Sequence, residues 1–291
     1  MKCNVVVATH HKTGTVWMDG VFKAIADDVG AQYVDFRSEY GRLDKVLREP
    51  FILFNYDSDF RDHAHILDRE DVRILHLIRD PRDVLISAMH YHKKSAESWL
   101  HTPVPGYNNV TYQRRLREMP TKLAQYVFEM EHSTAGTLRG MTDWQYGRAN
   151  CFEARYEALR QDTDLAYWTR IADFLGFDDD ERQSCRRHFW QNSLFGGLSR
   201  LGNKHVRSGD IAQWKREFNR DLAYAFLVRF PTVLQSLAYE PDTKWFFDVP
   251  GWDANELAPA LKRLVGNPLE SLKELGRSLS IRRREYQERF F

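Results

Sequence analysis

Apolar residues in the first ninety positions fall into short unbroken runs separated by longer amphipathic stretches. Val5-Val6-Val7-Ala8, inside residues 4–8, has no polar alternation and is too short for a helix, so it reads as a strand buried on both faces. Residues 15–29 then set Val21, Phe22, Ile25, Ala26 and Val29 on one helical face. Residues 32–36, 51–54 and 72–78 predict three more strands, and a helix begins at Pro81. Strands alternating with helices predict an α/β fold with a parallel sheet covered by helices. In such sheets ligands sit beyond the carboxyl ends of the strands.

The pattern changes after residue 94. Residues 95–145 hold Trp99, Tyr107, Tyr112, Tyr126, Phe128 and Trp144 among Pro103, Pro105 and Pro120. They predict two or three helices and loops outside the sheet, with aromatic side chains able to wall a pocket. Residues 150–155 return to strand, 164–192 are helical, and 193–211 are loop-like. Helix resumes over 213–236, and a tail follows.

Composition narrows the classes. With 291 residues, 43% of them hydrophobic, the chain can bury a large core. A net charge of +1 gives no global field to recruit nucleic acid or membrane. Cys3, Cys151 and Cys185 are odd in number and far apart, which suits neither a metal site nor a disulfide framework and points to a reducing cytoplasm. No apolar run approaches the ~18 residues of a membrane span. The first strand starts close to Met1, so no signal peptide is expected. The late Arg282-Arg283-Arg284 run alternates with Glu285 and Glu288 and reads as a solvated helix face, open to a partner or membrane surface.

Three junctions carry the chemistry. His10-His11-Lys12-Thr13-Gly14-Thr15-Val16-Trp17-Met18 joins the first strand to the first helix. A lysine and a glycine before a helix N-terminus suit an anion, because unpaired amides and the helix dipole point at it. A nucleoside-triphosphate loop places the lysine directly after its second glycine. Here Lys12 precedes the loop's one glycine, Gly14, so that signature fails. The second junction, Leu77-Ile78-Arg79-Asp80-Pro81-Arg82-Asp83, ends a strand on Arg79 and opens a helix with Asp80 as cap and Pro81 in first position. Arg79 is suited to bidentate contact with a phosphate, and Ser87 lies two turns further on. The third, His205 to Lys215, sets Arg207, Ser208 and Gly209 in a loop ahead of Trp214.

Together these junctions resemble the sulfotransferase family, which uses 3′-phosphoadenosine 5′-phosphosulfate (PAPS) as sulfuryl donor. The family's P-K-x-G-T-T-W loop is matched by His11-Lys12-Thr13-Gly14-Thr15-Val16-Trp17, departing at the proline and the second threonine. Its arginine and serine eight residues apart are matched by Arg79 and Ser87, and its late R-K-G-x-x-G-D-W-K motif loosely by Arg207 to Lys215. Tyr156 looks like the tyrosine that contacts adenine. The resemblance spans residues 3–235 and implies a three-layer α/β/α catalytic domain over 1–240, with a tail from 241 to 291. It implies that Lys12, Thr13, Gly14, Thr15 and Val16 hold the 5′-phosphosulfate. Trp17 and Tyr156 contact adenine, and Arg79, Ser87, Arg207, Ser208 and Gly209 hold the 3′-phosphate. No metal is implied, and a homodimer is compatible with the family.

Sulfuryl transfer moves charge onto a leaving phosphate oxygen, where Lys12 is placed to meet it. The acceptor, a small-molecule or carbohydrate hydroxyl or an amine, must lose a proton to a base. Cytosolic relatives place a histidine about 22 residues before the 3′-phosphate arginine. That position falls at Asp57, so Asp57 is the expected base, with Asp59, His63 and His65 as alternatives. His10 and His11 are expected to shape the loop. Two other readings stand beside this one. They are a phosphate-loop nucleotide kinase and a non-catalytic nucleotide-binding relative.

Overall fold

A computed structural model of the chain describes residues 1–200 and 209–251. Five parallel strands form its sheet: β1 (Asn4–Ala8), β2 (Gln32–Asp35), β3 (Phe51–Asn55), β4 (Val72–Ile78) and β5 (Cys151–Arg155), in the order β2-β3-β1-β4-β5. All five residues of β1 and of β3 are buried. Val5 and Val7 pack on one side of the sheet, and Val6 and Ala8 on the other. Helices cover both faces, which is why these strands lack alternation.

The first strand-to-helix unit falls where the periodicity put it. Helix α1 (Thr15–Val29) buries Met18, Val21, Phe22, Ile25 and Ala26 and ends at Gly30, whose φ of 68° is left-handed. Helix α2 (Pro81–His92) follows β4, with the Asp80 carboxylate accepting the Arg82 amide. The aromatic insertion folds into α3 (Tyr112–Glu118), α4 (Lys122–Glu129) and α5 (Ala135–Asp143). A single π turn, Met130–Thr134, joins α4 to α5. These helices share a second apolar core with Val84, Leu85 and Met89 of α2 and with Phe218, Phe226 and Trp245.

Two helical stretches are broken where the sequence suggests continuity. Residues 164–192 become α7 (Ala166–Phe174) and α8 (Asp179–Gln191), after the short α6 (Tyr156–Gln161) that follows β5. Gly176, at φ 83°, turns the chain between α7 and α8, and Asp178 with Glu181 forms a capping box that starts α8 afresh. Residues 213–236 divide into Trp214–Glu217, α9 (Arg220–Arg229) and Val233–Ser236. The Asn219 side chain caps α9, and Pro231 follows its end.

Arg82 ties this late segment to α2. Its buried guanidinium pairs with Asp80 at 2.7 Å and Glu240 at 2.7 Å and lies 3.6 Å from the Trp214 ring centroid. Trp245 and Phe246 enter the same core, so the first part of the predicted tail packs on the domain. Residues 252–291, including the Arg282–Arg284 run, lie outside the described residues.

Candidate active site

The turn after β1 is built around one carbonyl. The His10 carbonyl accepts the Thr13 amide at 3.1 Å, the Thr13 hydroxyl at 2.8 Å and the Thr15 hydroxyl at 2.8 Å. The Thr13 hydroxyl also accepts the His10 amide at 3.0 Å. Thr13 is fully buried, and its side chain shapes the loop from within. Lys12 at φ 67° and Gly14 at φ 110° are both left-handed. For Lys12 that costs on the order of 1 kcal/mol. At Gly14 a Cβ would lie 3.0 Å from the Tyr156 ring and 3.3 Å from Leu77, so backbone and space both call for glycine.

Helix α1 then opens with no side-chain cap. The amides of Thr15, Val16 and Trp17 have no partner among the described residues. These are the donors a helix offers to an anion. Val16 is exposed and contributes its backbone here. Trp17 stacks on Phe189 with centroids 5.0 Å apart and meets the Tyr156 ring edgewise, while its buried indole N–H is unpartnered.

Lys12 and Arg79 meet at this loop. The Lys12 ammonium sits 3.6 Å above the Tyr91 ring. Burial, reinforced by the Arg79 charge and opposed by Glu97, lowers its pKa to about 8. Arg79, at the end of β4, donates to the Lys12 carbonyl at 3.2 Å and to the Asp210 carbonyl at 3.0 Å, and lies 4.3 Å from the Tyr156 ring centroid. Its buried Nε has no partner. Tyr156 and Arg160 both donate to the Gly209 carbonyl, at 2.9 and 2.8 Å. Gly209 has a left-handed φ of 60°. Three junctions separated by up to 200 positions therefore converge, and the unpartnered donors belong to the elements expected to hold a phosphorylated nucleotide.

Asp83 does not complete a cap at the start of α2. It is buried, accepts the Trp214 amide at 3.0 Å and faces Arg79 at 3.7 Å. Desolvation raises its pKa to about 6 against the opposing Arg79 charge. Ser87 lies one turn further along α2, half-buried. Arg207 and Ser208 fall outside the described residues.

The sulfotransferase domain matches residues 2–235. The chain belongs to the sulfotransferase family. Among solved structures, the family member resembles mouse sulfotransferase SULT7A1 complexed with PAP, at 15% identity and a TM-score of 0.50, over 85% of this chain and 89% of that one. Retinol dehydratase in complex with androsterone and inactive cofactor PAP aligns at 15% identity and a TM-score of 0.42, over 87% and 83% of the two chains. No curated protein matches. At these identities the likeness concerns the fold, and it agrees with the parallel sheet flanked by helices.

In this sulfotransferase-family chain the carboxylate expected as base lies in an open turn. Asp57 is exposed, with one oxygen 3.6 Å from the Arg37 guanidinium and the other accepting the Asp59 amide at 3.3 Å. The alternatives are also engaged elsewhere. Asp59 pairs with Arg61, His63 bonds the Tyr40 carbonyl at 3.0 Å, and His65 meets Asp44 at 2.9 Å. Asp44, His63 and His65 place ligand atoms within 4.8 Å of one another, the one metal-capable group among the described residues. Two of the three are exposed, and His65 already bonds Asp44.

The structure also contains two buried chains of polar groups that sequence reasoning missed. His10 Nε2 lies 2.8 Å from His76 Nε2, and His76 Nδ1 lies 2.6 Å from Glu153. Trp144 stacks on His76 and donates to Glu153 at 3.1 Å. In parallel, His11 Nε2 lies 3.0 Å from His92 Nε2, and His92 Nδ1 lies 2.9 Å from Glu129. Positions 11, 92 and 129 share no spacing that marks them. The one available signal was that His11 is next to Lys12.

Proposed function

We propose that this chain transfers a sulfuryl group from PAPS to a hydroxyl or amine acceptor by in-line displacement. The observation that carries the proposal is the convergence on Arg79. One guanidinium binds the carbonyl of the lysine turn and the carbonyl beside Gly209 while it covers Tyr156. Lys12 and Arg79 thus flank one turn beside the unpartnered amides of α1, which suits a nucleotide carrying more than one anionic group.

The residues divide the work by position. Lys12 faces the leaving phosphate oxygen and offsets its growing charge. The Thr15 and Val16 amides hold the 5′-phosphosulfate, with Gly14 allowing the turn. Trp17 and Tyr156 hold the adenine. Arg79 and Ser87 hold the 3′-phosphate with the loop at Arg207, Ser208 and Gly209. The donor itself supplies an activated sulfur–oxygen bond when bound. The aromatic insertion favours a small apolar or aromatic alcohol as acceptor, with a carbohydrate as the second class. Three free cysteines accord with a reducing cytoplasm.

Thermal denaturation with 3′-phosphoadenosine 5′-phosphate (PAP) against ATP–Mg tests the reading. At 100 times its dissociation constant a ligand stabilises by about 2.7 kcal/mol. PAP is expected to raise the melting temperature and ATP–Mg to leave it nearly unchanged. The reverse pattern would establish a kinase-like site instead. PAP binding without donor turnover across phenol, alcohol and amine acceptors would identify a non-catalytic relative.

A further inference from the structure

We infer that His11, held by His92 and Glu129, accepts the proton of the sulfuryl acceptor, and that His92 and Glu129 fix the state in which it can do so. The inference rests on the sulfotransferase reading and names its base.

The hydrogen-bond directions follow from the acid at the far end. Glu129 is fully buried and accepts His92 Nδ1–H at 2.9 Å, the Tyr112 hydroxyl at 2.9 Å and the Thr134 hydroxyl at 3.3 Å. A carboxylate accepts only, so His92 Nδ1 carries a proton, and in the neutral ring Nε2 then carries a lone pair. That lone pair must take a proton from His11 Nε2, 3.0 Å away. The ring planes differ by 11° with centroids 5.0 Å apart. This separation nearly equals the contact plus the two ring radii, so the rings meet edge to edge, as an N–H···N bond requires. His11 Nδ1 is then left with a lone pair, and it bonds to no other described residue.

The local structure serves this arrangement. Glu129 ends α4, directly before the π turn, and Thr134 ends that turn five residues later. The wider π turn permits the Glu129–Thr134 hydrogen bond, and such turns recur at functional sites. The charges facing His11 come from the loop (Lys12) and from Arg37 after β2; the titratable His92 on α2 and the Tyr91 ring also lie beside it. Burial first, then the neighbouring His92 ring and the Lys12 and Arg37 charges, hold its pKa well below the ordinary histidine value, so it stays neutral in the empty enzyme. When it accepts a proton, Nε2–H still donates to His92, and Glu129 balances the charge. Asp57 has no comparable buried support.

The transfer step balances. The acceptor O–H proton passes to His11 Nδ1 while the acceptor oxygen bonds to sulfur. The sulfur–oxygen bond to the 5′-phosphate breaks, and its electron pair stays on that phosphate oxygen, beside Lys12.

The test uses the full chain with PAPS, 2-naphthol and the more acidic 4-nitrophenol, and follows kcat against pH together with PAP affinity by calorimetry. For His11→Ala, PAP affinity is expected to stay within about threefold of wild type. Its kcat on 2-naphthol is expected to fall about 10²–10⁴-fold. The loss should be smaller on 4-nitrophenol, which needs less help to ionise, and added imidazole should restore part of the rate. Glu129→Gln keeps the shape of the network, lowers kcat and moves the acidic limb of the profile to lower pH, which a merely structural contact would not do. A His11→Ala enzyme that binds PAP and keeps kcat within threefold of wild type would overturn the relay and leave sulfuryl transfer intact. A wild-type chain that neither binds PAP nor uses either phenol would overturn the sulfotransferase reading, and the relay with it.

Discussion

Lys12 carries opposing demands, and its pH behaviour exposes them. Burial beside Arg79 pulls its pKa down to about 8, yet its proposed role requires a positive charge. A bound phosphate favours the charged form, so the complex keeps the proton to higher pH than the free enzyme does. PAP affinity should therefore be flat from pH 7 to about 8 and then fall by up to about tenfold per pH unit. Calorimetry from pH 7 to 9.5 checks this, and a flat profile for wild type and Lys12→Met alike would remove Lys12 from the anion site. Arg79 has a different signature. Arg79→Ala should weaken PAP by about 1.5–3 kcal/mol, the usual value of a hydrogen bond to a charged group, and affect AMP much less, because AMP lacks the 3′-phosphate. Equal losses on PAP and AMP would refute the assignment. Gly14 is constrained twice, by its φ of 110° and by the Tyr156 ring 3.0 Å from a would-be Cβ. Gly14→Ala should destabilise by roughly 1–3 kcal/mol, measured by urea unfolding, and should weaken PAP because the turn must shift.

At the scale of elements, α2 links the donor loop, the aromatic insertion and the late segment through Arg82, Asp83 and His92. Arg82 is the anchor that can be tested alone. Removing its guanidinium leaves Asp80 and Glu240 facing a buried space and exposes the face of Trp214. Arg82→Ala should cost about 3–5 kcal/mol, read as a lower denaturant midpoint followed by tryptophan emission. A loss under 1 kcal/mol would mean that the pair relaxes into water. The sheet was legible because β1, β3 and β4 are continuous apolar runs, and α1 because one face of it is buried. Arg79 and Lys12 were legible because strand ends at helix starts are local in sequence. What escaped depends on tertiary proximity. The π turn after Glu129 has no composition signal, and His76 meets Glu153 only through the pairing of β4 with β5. The inward turn of the Thr13 hydroxyl onto the His10 carbonyl escaped as well, because a loop motif does not reveal side-chain direction.

Taken as a whole, the molecule buries imidazoles on both sides of its donor loop, and this couples its stability to pH. Burial, with the His76 ring adding to it, lowers the pKa of His10. Burial lowers that of His76 against the opposing Glu153, and His11 is lowered as described. Each ring is neutral when folded at a pH where the unfolded chain has begun to bind a proton. The unfolded state therefore holds more protons, and stability rises with pH in that window. Equivalently, stability is lost as pH falls through about 6.5, the ordinary histidine value, and the loss ends where the folded pKa is reached. Each ring contributes at most about 1.4 kcal/mol per pH unit, so the three together set a ceiling of about 4 kcal/mol per unit. Asp83 works the other way. Its pKa is raised to about 6, so the folded form retains a proton that the unfolded chain has released, which favours folding as pH falls below 6. Glu157, also raised by burial, acts in the same sense. Between pH 7.5 and 6 the histidines dominate, because three rings act in that window whereas Asp83 is only half-protonated at its lower end. The melting temperature is therefore expected to fall steadily from pH 7.5 to 6, and His10→Asn, which removes one of the three rings, should show a shallower decline. A melting temperature that holds level or climbs over that interval would mean that these rings enter the folded state already charged, and the neutral form of His11 needed to take a proton would be lost with it.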